Sequence, residues 1–151
     1  MSESTVSDVG VTTGEPASLT LLLKRSEDAL HRRLQATLDG EGLLLEQWQI
    51  MAVLLARPGL RMSEIADAAV VPPATLTRHM DKLVERAIVV RRIDPDDKRR
   101  VVAALSPRGA SLARRLSEVE QSIETALADG LGHERYEALA AELRLIPHLF
   151  D

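Results

Sequence analysis

The chain has 151 residues, 45% hydrophobic and 28% charged, enough for one domain with a sizeable core and too apolar for a disordered or collagen-like polymer. It holds no Cys, one Trp, one Tyr and one Phe, which excludes disulfide frameworks, thiolate catalysis, thiol redox sensing and Cys-ligated zinc, and nearly excludes ring-stacking platforms for single-stranded nucleic acid. The net charge of −4 conceals a basic middle: residues 57–108 carry eleven Lys/Arg against seven Asp/Glu, while residues 1–56 and 109–151 each carry four against eight, an asymmetry that points to local anion binding.

Residues 1–17 lack helical period and read as a flexible tail. They show neither the basic nor the apolar region of a signal peptide, and no window is apolar enough to span a membrane, so a cytoplasmic location is expected. Leu19, Leu22, Leu23, Ser26, Leu30 and Leu34 fall on one face at steps of three or four and predict a first helix over about 18–38, ending near Asp39-Gly40 and Gly42. Leu43 to Ala56, with Trp48, Met51, Leu54 and Leu55, predicts a second helix, apolar nearly all round and therefore central, stopped by Arg57-Pro58-Gly59.

Ser63 reads as the N-cap of a short third helix holding Ile65, Ala66 and Ala69. Val70-Val71-Pro72-Pro73 interrupts it, and Pro73 suits the first position of a fourth helix, where a missing N–H costs nothing. Leu76, Met80, Leu83 and Ala87 make its apolar stripe, opposite Ala74, Thr75, Arg78, Lys82 and Glu85. The period then changes: Ile88 to Arg92 and Val101 to Leu105 flank the turn residues Asp94-Pro95-Asp96-Asp97, which describes a β-hairpin. Ser106-Pro107 caps and opens a long helix whose Leu112, Leu116, Val119, Ile123 and Ala126 have the spacing of a helix packed along another. Gly130 and Gly132 break it before a last helix carrying Tyr136, Leu139, Ala140, Leu143, Ile146 and Phe150.

Two short helices joined by a tight turn and followed by a basic hairpin form a winged helix-turn-helix, whose second helix enters a DNA major groove. Arg78 can reach guanine O6 and N7 or a phosphate, Thr75 and Thr77 can bond to either or touch a thymine methyl, and Lys82 lies one turn on, within reach of phosphate. A solvated helix face is the competing reading for that helix alone; the adjoining hairpin, with Arg91, Arg92, Lys98, Arg99 and Arg100 on or near its strands, shifts the balance to DNA.

From Asp97 the hairpin reads Asp-x-Arg, five residues, Leu-Ser, through Arg99, Leu105 and Ser106. With the upstream run MSEIADAAVVPPATLTRHMDKLVERAIVVRR, this resembles the MarR-type (multiple antibiotic resistance regulator) transcription factors, whose wing carries the same pattern ending in Leu-Thr; the resemblance covers residues 18–151. It implies a mainly α fold of six helices, with a winged helix-turn-helix over 43–105 and a helical dimerisation region over 18–42 and 106–151. It implies that Arg99 enters the minor groove and that Asp97 orients the wing by ion pairing. Three departures stand out: Ser106 for Thr, Pro72 where a Ser or Thr cap is commoner, and Ala87 where the family usually has Gly, so that strain or a shifted helix end is expected at Ala87.

One recognition helix and one wing supply too little affinity for selective binding, and the first, fifth and sixth helices bury little against so small a core. The expected partner is a second copy of the chain, packed through those three helices on a pseudo-palindromic operator with half-sites about one duplex turn apart. The resemblance further implies release by a small aromatic or phenolic effector, with His31, Arg33 and Trp48 on helices that could line its cleft, and repression as the commoner mode. No cofactor and no metal are expected, since His31, His79, His133 and His148 lack ligand spacing. An enzyme is not expected, for no nucleophile with its base, phosphate-cradling loop or paired carboxylates is found. A winged-helix module that binds protein without specific DNA binding is the remaining alternative.

Overall fold

The computed structural model describes residues 18–151, so the expected tail over 1–17 lies outside the described residues. Six α-helices run in the order α1 (Leu19–Glu41), α2 (Leu45–Ala56), α3 (Met62–Ala69), α4 (Pro73–Glu85), α5 (Pro107–Leu131) and α6 (His133–Leu145), the last continued by a 3-10 turn over Ile146–Leu149. Three strands, β1 (Leu60–Arg61), β2 (Val89–Ile93) and β3 (Val101–Leu105), form an antiparallel sheet in the order β1-β3-β2. The mainly helical, six-helix fold with a small wing sheet is as the sequence predicts. No described helix is long and apolar enough to cross a membrane.

The core gathers around α2, whose Trp48, Ile50, Met51 and Leu54 are buried with Ile65 of α3, Leu76, Met80 and Leu83 of α4, Ile88 and Val89 at the wing, and Leu112, Ala113 and Leu116 of α5. From α1 only Leu34 and Leu38 are buried, and from α6 none. The helices meant for intrachain packing and those left apolar outside it are thus separated along the chain.

Two expected helix starts need correction. The N-cap of α3 is Arg61, and Ser63 is an exposed residue inside the first turn. Glu64 makes this start possible without a hydroxyl cap, since its Oε1 accepts from the Arg61 N–H at 3.2 Å and from Arg61 Nε at 2.8 Å. The same guanidinium holds the Glu64 carboxyl below the usual glutamate range. The second helix starts at Leu45 with Leu44 as its N-cap, whose N–H donates to Gln47 Oε1 at 2.9 Å. By contrast, Pro73 opens α4, and Ser106 caps α5 ahead of Pro107, as the sequence predicts. The break before α6 falls at Gly132, with Gly130 still helical.

Helices α1, α3 and α4 end alike. The first residue past each turn, or the cap itself, is left-handed: Gly42, Val70 and Ala87 at φ +65°, +55° and +57°. The following N–H reaches back five residues, as in Leu43 to Leu38 O, Val71 to Ala66 O and Ile88 to Leu83 O. Only the first of these positions is glycine. The strain expected at Ala87 is therefore present, and the register of α4 is kept.

Candidate DNA interface

Helix α4 divides as its sequence predicts except at Ala87, which lies past the last helical residue, Glu85, and is exposed instead of closing the buried stripe. Leu76, His79, Met80 and Leu83 are buried, whereas Ala74, Thr77, Arg78, Asp81, Lys82 and Glu85 are exposed and Thr75 is half-buried. His79 joins the buried stripe beside the leucines. Thr77 Oγ1 donates to Pro73 O at 3.1 Å, which leaves its oxygen lone pairs and methyl group free to face outward.

The wing stands on a two-strand ladder pairing Val89 with Leu105 through Ile93 with Val101. Its tip is organised by its own carboxylates. Asp94 Oδ1 accepts from Asp96 N–H at 2.9 Å, and Asp97 Oδ1 accepts from Arg99 N–H at 3.0 Å. Asp97 also lies 3.2 Å from Arg100 Nε and 3.7 Å from Arg99 Nε. Acidic side chains in the turn are thereby turned onto the backbone and the two arginines, while the Arg99 side chain stays 94% exposed. Lys98 is exposed beside it.

Helix and wing are joined by one ion pair. Arg91 Nη2 of β2 donates to Asp81 Oδ1 of α4 at 2.7 Å. Asp81 lies three residues after Arg78 and directly before Lys82, so this contact holds the wing against the flank of α4 that carries both cations. The sequence offers Arg91 as a DNA-binding cation and gives no sign of its partner Asp81, because a pairing ten residues apart across a turn leaves no periodic trace.

The proposed effector residues are not brought to one place. His31 lines a groove of about 240 Å3 between α1, α5 and α6, with Leu34, Glu120, Glu124 and Tyr136. Arg33 lines an adjoining groove of about 570 Å3 with Leu23, Ser26 and Leu131. Trp48 is 2% exposed in the core and lines neither groove. Among the described residues no three His, Asp or Glu side chains come together as a metal site.

The family model described as MarR family matches residues 41–100, the span from the end of α1 to the wing tip. The chain is 30% identical over 110 residues to the HTH-type transcriptional repressor Rv2887 of Mycobacterium tuberculosis, covering 73% of this chain and 79% of that one. The chain belongs to the MarR family. MarR proteins are a non-enzymatic family, and this member is a DNA-binding transcriptional regulator. Among solved structures, a MarR-like fold is shared with NadR in complex with 4-hydroxyphenylacetate, at 25% identity, TM-score 0.79 and coverage of 89% of this chain and 96% of that one. It is shared also with CouR, a transcriptional repressor bound to a 23-mer DNA duplex, at 24% identity and TM-score 0.75, covering 86% and 92%.

Proposed function

We propose that this MarR-family regulator acts as a homodimeric repressor, each protomer laying the exposed face of α4 in a major groove and its wing along the adjacent minor groove. Thr75, Thr77 and Arg78 read base edges or neighbouring phosphates, Lys82, Lys98 and Arg100 meet phosphates, and Arg99 enters the minor groove. The Asp81–Arg91 contact carries this reading, because it sets the basic ribbon beside Arg78 and Lys82 as one cationic surface.

The dimer is supported by apolar side chains that the protomer does not use. Leu19, Leu22 and Leu30 of α1, Leu139 and Leu143 of α6, and Phe150 are 38–85% exposed, on the elements that bury least within the chain. At roughly 25 cal/mol per Å2, apolar side chains exposed in this number are costly to leave in water. On this reading residues 43–105 form the DNA-binding unit, with 18–42 and 106–151 the dimerisation unit. Release by a small aromatic or phenolic molecule is supported by the 4-hydroxyphenylacetate bound to NadR and by the groove holding His31 and Tyr136.

Selection of bound duplexes by the purified protein, followed by titration over a salt series, tests the reading. Replacing Lys82 by Ala should lower the slope of log K against log salt by about 1.8, one phosphate contact from each protomer, with the order of preferred sequences unchanged. Replacing Arg78 by Ala should change which base is preferred, a discrimination of about 1–3 kcal/mol. Binding that ignores salt would favour the protein-binding module instead. A thermal-shift screen of phenols and aromatic acids addresses the effector, and a compound that stabilises the protein should also weaken DNA binding.

A further inference from the structure

We propose that Arg86 is a positioning residue that fixes the angle between the recognition helix α4 and helix α1, and thereby sets the half-site spacing the regulator accepts. The inference rests on the dimeric DNA-binding reading above.

Arg86 is the residue directly after α4. Its Nη1 donates to Gly42 O at 2.9 Å and its Nη2 to Glu41 O at 2.8 Å. Those carbonyls belong to the last residue of α1 and to its left-handed cap. Carbonyls at a helix C-terminus have no intrahelical partner and carry the negative end of the dipole, so a cationic fork meets both needs at once. The base of this lever is short and stiff: the Arg86 N–H donates to Lys82 O at 3.0 Å and the Ile88 N–H to Leu83 O at 2.9 Å. The far side is braced as well, because Glu41 Oε1 lies 3.4 Å from Arg115 Nη2 of α5.

Elsewhere α1 and α4 each pack against α2. Aliphatic packing of that kind tolerates small rotations, whereas two parallel N–H···O bonds from one planar group resist them. A lysine could reach one carbonyl or the other, but as a point charge it would restrain the pivot only in part. Arg86 therefore does for the helix angle what the Asp81–Arg91 pair does for the wing. Because α1 lies in the proposed interface, its angle to α4 decides how far apart, and at what twist, two recognition helices stand. Adding one base pair between half-sites moves them by about 3.4 Å and roughly 36°, which a rigid junction rejects and a loose one absorbs.

The test uses the full-length protein and the tightest duplex recovered by selection with the wild type, together with versions lengthened and shortened by one base pair between half-sites. Wild type should prefer the parent spacing by roughly tenfold or more. Arg86→Ala should lose most of that preference, weakening on the parent duplex while holding its affinity for the altered ones, and Arg86→Lys should fall between. Equal weakening of Arg86→Ala on all three duplexes, or an unchanged spacing profile, overturns the proposal. If Arg86→Ala does not fold, as judged by thermal unfolding, Arg86→Lys carries the same comparison. Failure of the underlying reading shows differently: the wild type itself would then ignore spacing or bind the duplex as a single protomer.

Discussion

Arg91 of β2 donates from Nη2 to Asp81 Oδ1 of α4 at 2.7 Å, so a carboxylate sits on the same flank of the recognition helix as the cations proposed to meet DNA. The two side chains are 39% and 61% exposed, and an exposed pair of this kind contributes about 0–1 kcal/mol to folding. Its larger effect is on the field offered to a polyanion. Asp81→Asn should leave the melting temperature within about 4 °C of wild type, raise DNA affinity, and steepen the salt dependence by up to about 1.8 as Arg91 of each protomer becomes available to a phosphate. Fluorescence anisotropy over a salt series measures both. A drop in affinity would mean that the carboxylate matters for aligning the wing more than for masking a charge.

The left-handed ends of α3 and α4 carry avoidable strain. Val70 is 87% exposed at φ +55°, and Ala87 is exposed at φ +57°. A side chain costs about 1–2 kcal/mol in this region, partly offset by about 0.4–1 kcal/mol that glycine loses through its freer unfolded chain. Val70→Gly and Ala87→Gly should each stabilise by about 0.5–1 kcal/mol, the former more because Val is β-branched. Urea melts with an unchanged m-value would confirm it; no gain would mean that the flanking bonds already absorb the strain.

Much of this architecture is legible in the sequence, for physical reasons that also mark where reading stops. The α4 stripe from Leu76 to Leu83, the hairpin and the openings at Pro73 and Ser106-Pro107 are set by periodicity and by residues with one conformational use, and all recur in the structure, whereas Ala87 falls outside the stripe. The strand β1 is two residues long and exists only because Leu60 and Arg61 pair with Ala103 and Val102. Such a strand has no period to detect. The hydroxyl of Ser63 points to a cap of α3 at that residue, yet the acceptor is Glu64, acting backward on Arg61. Arg86 meets carbonyls 44 and 45 positions away, and only the folded chain brings them together. Within the proposed DNA site, residue types were readable from the sequence, while which cation is masked and which is free was decided by tertiary pairing.

The junction between wing and α5 turns on a single hydroxyl. Ser106 Oγ donates to Ala87 O at 2.6 Å and accepts from the Gly109 N–H at 2.9 Å, so it caps α5 and holds the strained end of α4 at once. Gly109 is required there by space, since a Cβ would stand 2.0 Å from Ile88 O. Ser106→Ala should cost about 1–2 kcal/mol, and Ser106→Thr should restore most of it. Gly109→Ala should cost about 3 kcal/mol or more, because backbone must move to admit the methyl group. Chemical denaturation of the three variants orders them; a tolerated Gly109→Ala would show that α5 can slide from the wing at little cost.

Glu120 supplies a pH dependence with a definite sign. Its carboxyl is pushed above the usual glutamate range, first by burial and next by the like charge of Glu124, while the Trp48 side chain and His31 act more weakly the other way. Between the ordinary and the raised value the folded state binds more protons than the unfolded one, so stability falls as pH rises through that window. The cost of ionising Glu120 is absent below the ordinary glutamate range and fully present above the raised value. Glu120→Gln removes the charge at nearly the same size and shape, so it should raise the melting temperature at neutral pH and flatten the fall between mildly acidic and neutral conditions. Glu124→Gln, which removes only the second cause, should shift that fall toward lower pH without abolishing it. Melting curves of the wild type and both variants across about pH 4 to 8 separate these outcomes. Parallel wild-type and Glu120→Gln profiles would mean that another group titrates in that window.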